Sequence, residues 1–144
     1  MANLTDVAQC FLYLDESNDG DGISNLKLQK LVYYAQGFYS AIFGKSLFSE
    51  DISAWTHGPV VEDLYHQYKQ YGSNHIPVPQ DFNKESLTKD EFELIEEVFD
   101  VFGQYSAWKL RNMTHEEAPW LEHEADASVI PKQSITEYFK TRIN

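Results

Sequence analysis

The residues of this chain with the means to hold a metal or act on a substrate are five histidines, one cysteine and an acidic run near the N-terminus. In Asp15-Glu16-Ser17-Asn18-Asp19-Gly20-Asp21-Gly22, the residues Asp15, Ser17 and Asp19 stand first, third and fifth, and Gly20 sixth, as in a calcium-binding helix–loop–helix. The twelfth position must grip the ion with both oxygens of a glutamate, and it is Leu26. The run therefore reads as a solvated connector. His115-Glu116 opens like a zinc-protease motif, but Pro119 stands where the second histidine is needed. Glu62 and His66 share a helix face, and two such ligands do not complete a catalytic metal site. Cys10 is alone, so neither an intramolecular disulfide nor a cysteine-based zinc site is open to it, and its apolar surroundings suit a small core residue. There is no glycine-rich phosphate loop and no nucleophile elbow. The expectation is a chain without metal, cofactor or catalytic residues, hence not an enzyme. A hydrolase would need His57 and His115 to converge in one pocket with a matched base or metal.

Two segments read more readily as contact surfaces. In Trp55-Thr56-His57-Gly58-Pro59-Val60-Val61, Gly58 permits a sharp turn and Pro59 suits the first turn of a helix. The structural reading is a rigid helix entry with Trp55 in the core; the functional reading puts His57 at a contact surface. The second segment is a helix carrying Asp90, Glu93, Glu96, Glu97 and Asp100 on its outer side. Glu93/Glu97 and Glu96/Asp100 are like charges one turn apart and cost about 0.2–0.5 kcal/mol per pair. Such a face is either merely solvated or kept for a partner, and Glu93, Glu96, Glu97 and His57 are the candidate partner-binding residues.

The elements that must position these residues are mostly helical. Val7, Ala8, Phe11, Leu12 and Leu14 form one apolar face behind a cap at Asn3 or Thr5. Leu28, Leu31, Val32, Ala35, Phe38, Tyr39 and Ile42 form the clearest stripe, capped at Ser24 or Asn25 and closed by Gly44, with Lys27 and Lys30 off the stripe and expected in water. Ile52–Trp55 alternates as a short strand would. Val61, Leu64, Tyr65 and Tyr68 mark a third helix ended by Gly72, and Ile76-Pro77-Val78-Pro79 excludes helix. Thr88 and Glu91 have capping-box spacing and open a fourth helix with Phe92, Ile95, Phe99 and Phe102 inward, ended by Gly103. Ser106 caps a shorter helix through Met113. Thr114/Glu117 and Ser134/Glu137 have capping-box spacing too, the latter opening a last helix with Ile135, Tyr138 and Phe139.

The chain has 144 residues, 42% apolar and 15% aromatic, which suits one packed core. We expect a mainly α, compact single-domain helical bundle spanning residues 1–144 with at most a short β element. The formal charge of −12, from 23 acidic and 11 basic residues, argues against nucleic acid and anionic membrane surfaces, and favours solubility or a basic protein partner. Without a signal-like or membrane-spanning segment, the expected location is the cytoplasm.

Four blocks resemble a known family. Leu26-Lys27-Leu28-Gln29-Lys30-Leu31-Val32-Tyr33-Tyr34-Ala35-Gln36-Gly37-Phe38-Tyr39 resembles its opening helix, and Trp55-Thr56-His57-Gly58-Pro59-Val60-Val61 with Leu64-Tyr65 its central signature. Ser106-Ala107-Trp108-Lys109-Leu110 and Thr114-His115-Glu116-Glu117-Ala118-Pro119-Trp120 resemble its third and fourth blocks. The family is the SocA-like or Panacea antitoxin domain, also called phage-associated GepA-like, and the likeness runs in order from about residue 4 to residue 140. Thr56 stands where relatives often carry Lys. The resemblance implies a bacterial or phage antitoxin that neutralises a toxin encoded beside it, with no enzymatic activity and no cofactor. It leaves as a second reading an adaptor that delivers a partner to a Clp-type protease. It also implies structural roles for Trp55, Gly58, Pro59, Trp108, Pro119 and Trp120.

Overall fold

The computed structural model describes residues 1–143. Among them are seven α-helices and three short strands: α1 (Leu4–Ser17), α2 (Asn25–Phe43), β1 (Ile52–Trp55), β2 (Gly58–Val60), α3 (Glu62–Tyr68), α4 (Lys89–Phe102), α5 (Ala107–Thr114), α6 (Ala118–Leu121), β3 (Val129–Ile130) and α7 (Lys132–Lys140). The fold is mainly α. Four helix starts follow from cap chemistry, in which a side-chain oxygen satisfies an amide that has no partner in the first turn. Asn3 accepts from Thr5 N at 2.8 Å, Ser24 from Lys27 N at 3.3 Å and Ser106 from Lys109 N at 3.1 Å. Thr88 and Glu91 close a reciprocal capping box at 3.1 and 2.8 Å. Gly44 ends α2 in the left-handed region, with φ of 71°.

Between α2 and α3 the chain makes a hairpin rather than a direct helix entry. Gly58, with φ of +110°, reverses the backbone, and Pro59 then pairs opposite Ala54 in an antiparallel ladder. Helix α3 therefore begins at Glu62, three residues later than Pro59 suggests. The sheet order is β2-β1-β3, so Pro59 lies on an edge strand, where a missing N–H costs no ladder bond. Val129 and Ile130 pair with Ser53 and Ile52 on the other side.

Helix α2 is the axis of the molecule: α1, α3, α4, α5, α7 and β2 all pack on it. An element covered on nearly every side has no solvent face, and this overturns the expectation that Lys30 meets water. Lys30 is fully buried, and Lys27 is half-buried with its Nζ donating to Gly103 O at 2.6 Å. The stripe from Leu28 to Tyr39 faces the core as expected except for half-buried Phe38, while Ile42, in the last turn beyond the packed elements, is 49% exposed. Phe92 is half-buried, since Glu91 turns inward to its cap. Two capping boxes do not form. Thr114 Oγ1 donates back to Arg111 O at 2.8 Å, and Glu117 points into the core instead. Helix α7 starts a full turn early, behind Pro131, so Ser134 lies inside it. Ile76-Pro77-Val78-Pro79 is non-helical, and Ile76 is buried with its N–H donating to Ile23 O at 2.9 Å.

Candidate partner-binding surfaces

The four sequence blocks meet around the β1–β2 hairpin. Buried polar groups on α2 hold it, because a backbone polar group removed from water needs a partner. Gln29 Nε2 donates to Asn25 Oδ1 at 3.0 Å, and Gln29 Oε1 accepts from Val61 N at 2.9 Å. Asn25 Nδ2 reaches Tyr65 O at 3.2 Å. Lys30 Nζ donates to Pro59 O at 3.0 Å. A Cβ at Gly58 would lie 2.6 Å from Lys30 Cε and 2.8 Å from Thr114 Oγ1, so the position needs glycine for space as well as for φ. Burial pushes the Lys30 ammonium down to about 7, and the Arg111 guanidinium adds to the shift. From the other side Trp120 Nε1 donates to Trp55 O at 2.7 Å, and the His115 ring stacks on Trp120 at 3.8 Å between centroids, 5° from parallel. Trp120 and Pro119 are buried and Trp55 is half-buried, its ring edge-on to Tyr65 at 5.1 Å.

This shell presents one outward cluster. Trp108 was expected as a structural residue, yet it is 55% exposed on α5. The Arg111 guanidinium lies over its ring at 4.3 Å, and Arg111 Nε donates to Nδ1 of exposed His57 at 3.3 Å. Beside the cluster lies an open groove of about 600 Å³ lined by Trp55, Thr56, His57, Val60, Tyr65 and Leu26, among others. His57 and His115 both border the hairpin turn, but neither has a carboxylate partner: His57 bonds Arg111, and His115 stacks on Trp120. Burial, with Arg111 and Lys30 nearby, holds His115 below its ordinary value. Among the described residues no group of three histidine, cysteine, aspartate or glutamate side chains is placed to hold a metal ion.

Glu93, Glu96 and Glu97 lie elsewhere, all exposed on α4. Lys89 approaches Glu93 at 3.8 Å, with both side chains more than half exposed, so the pair contributes little. Glu97 borders a second groove, of about 310 Å³, whose other walls include Phe38, Ile42, Leu94, Val98, Val101 and Phe102. Ile42 and Val101 are 49% and 48% exposed. The structure thus separates the candidates: Glu93, Glu96 and Glu97 lie on α4, where Glu97 edges an apolar groove, whereas His57 sits by the hairpin with Arg111 and Trp108.

Sequence reasoning passed over the buried carboxylate. Glu117 accepts from Tyr33 at 2.9 Å and Tyr34 at 2.7 Å, and Arg142 NH1 reaches it at 3.2 Å. Burial raises its carboxyl above the usual range, against the opposing pull of the two tyrosines and Arg142. The sequence held no signal for it: Tyr33 and Tyr34 become buried hydroxyls in need of an acceptor only because α2 is wrapped by the other elements.

The family described as Antitoxin SocA-like, Panacea domain matches residues 28–121, a span that runs from the first turn of α2 through the hairpin to the end of α6. The chain belongs to this family. A relative named Antitoxin SocA, from Caulobacter vibrioides (strain NA1000 / CB15N), is 32% identical over 110 residues, covering 68% of this chain and 58% of the relative. The chain therefore spans less than two thirds of that relative's length. No solved structure matches it. Helices α1 and α7 lie outside the matched span and pack on the Panacea-family helix α2. Among the described residues no helix is long and apolar enough to cross a membrane.

Proposed function

We propose that this protein is a non-catalytic antitoxin that neutralises a cognate toxin, encoded by an adjacent gene, by binding it directly. The observation that carries the reading is the Panacea family match together with the relative named Antitoxin SocA. The geometry supports it: His57 is hydrogen-bonded to Arg111 and His115 is stacked on Trp120, neither against a carboxylate, while large apolar side chains remain outside the core. The acidic edge of α4 with its groove is the proposed toxin contact. Ile42 and Val101 would supply apolar anchors, and Glu93, Glu96 and Glu97 would steer a basic partner, acting mainly on association rate. His57 belongs to the other face. The test is growth: co-expression with the product of the neighbouring gene should rescue cells from its toxicity. Failure of any such product to be neutralised would remove the antitoxin reading.

A further inference from the structure

We propose that Arg111, Trp108 and His57 form a second docking surface that receives an acidic segment of a partner protein, a carboxylate seated on Arg111 and an apolar side chain beside Trp108. This goes beyond the toxin contact proposed for α4 and stands independently of it, because the two faces share no residue.

Charge is the first argument. The chain carries 23 acidic residues, yet among the described residues none lies within ion-pair distance of Arg111; the ion pairs there use His66, Lys89, Lys132 and Arg142 instead. Arg111 is held by no carboxylate: its contacts are His57 Nδ1 at 3.3 Å, Asn112 Oδ1 at 3.0 Å and the Trp108 ring at 4.3 Å. Those bonds occupy two of the five N–H donors of a guanidinium, and the rest keep the fork geometry that matches a carboxylate.

Preorganisation is the second argument. Trp and Arg are the residue types most enriched at interface hot spots, and here they are stacked before any partner arrives. Their support is rigid, since the turn bearing His57 is fixed by Gly58 against Lys30 and Thr114. The adjoining groove of about 600 Å³ offers Trp55, Tyr65, Leu26 and Val60 to an apolar neighbour of the bound acid.

The test is a selection from a random peptide library displayed on phage, with the wild-type chain as bait and depletion on the Trp108→Ala/Arg111→Gln double variant. Enriched peptides should carry Asp or Glu next to an apolar or aromatic residue. Binding of a selected peptide should fall about tenfold on Arg111→Gln and on Trp108→Ala, as for a truncated interface anchor. Arg111→Lys should lose part of it, because charge survives without the planar fork. Changing the acid of the selected peptide to Gln should give a similar loss, a readout independent of how the protein variants fold. No enrichment over the double variant, enriched peptides lacking an acid, or binding indifferent to the Gln peptide overturns the proposal.

Discussion

Lys30→Met should abolish a specific pH dependence of folding. In the native chain burial holds the Lys30 ammonium down to about 7, whereas a lysine in the unfolded chain titrates at 10.5. Between these values the unfolded state binds one more proton than the folded state, so stability rises with pH across the window and the lysine penalty is fully present below it. The full slope is about 1.4 kcal/mol per pH unit. Between about pH 7 and pH 9 the native lysine completes its titration while the unfolded one keeps its proton, and the integrated gain is about 2 kcal/mol. Urea unfolding of wild type and Lys30→Met across that range measures it. Cys10 also titrates differently on folding, pushed up to about 12 by burial, but it is common to both proteins and cancels in the difference. The absolute stability of the variant matters less than the slope, since methionine removes both a buried cation and the bond to Pro59 O. Parallel pH profiles would refute the reasoning and show Lys30 charged and satisfied in the folded state.

Leu31→Ala, at a fully buried position on α2, should cost about 2–5 kcal/mol in chemical unfolding. Glu117→Ala leaves the Tyr33 and Tyr34 hydroxyls without their acceptor and should cost about 1–3 kcal/mol for each stranded group, whereas Tyr34→Phe should cost clearly less in the same assay. Gly58→Ala places a side chain at φ of +110° against Lys30, and thermal unfolding should show a loss of at least about 1–3 kcal/mol. Changing Glu93, Glu96 and Glu97 together to Gln should slow toxin association at low salt while leaving stability unchanged or slightly higher, since relief of the Glu93/Glu97 and Glu96/Asp100 repulsion is partly offset by loss of the Lys89–Glu93 pair. An unchanged association rate would remove α4 from the interface.

Periodicity and caps made most helices legible before any coordinates: Ser24, Thr88 and Ser106 act as their positions suggest. What failed was the inference from stripe to solvent. Lys30 lies off the apolar stripe of α2, but a helix wrapped by helices and a hairpin buries its polar side too, and no local pattern reveals that wrapping. Spacing alone also misled at Thr114/Glu117, because a capping box and a buried carboxylate draw on the same residue types. Pro59 reads in the sequence as a helix start, yet it stands on an edge strand, because Gly58 reverses the chain just before it. For the candidate surfaces, the exposure of Glu93, Glu96, Glu97 and His57 was readable, but Trp108 was not: a tryptophan in a short helix reads as core until its neighbours are known.

Neutralisation of a toxin by direct binding is tested most closely with purified components. The product of the neighbouring gene is assayed for its own activity while this chain is titrated in, with no protease present. Inhibition should saturate at a fixed stoichiometry, with a complex of the same composition on size-exclusion chromatography. Undiminished toxin activity in the presence of excess chain would contradict it. Inhibition that appears only when a Clp-type protease and ATP are added would move the function from neutralisation to delivery.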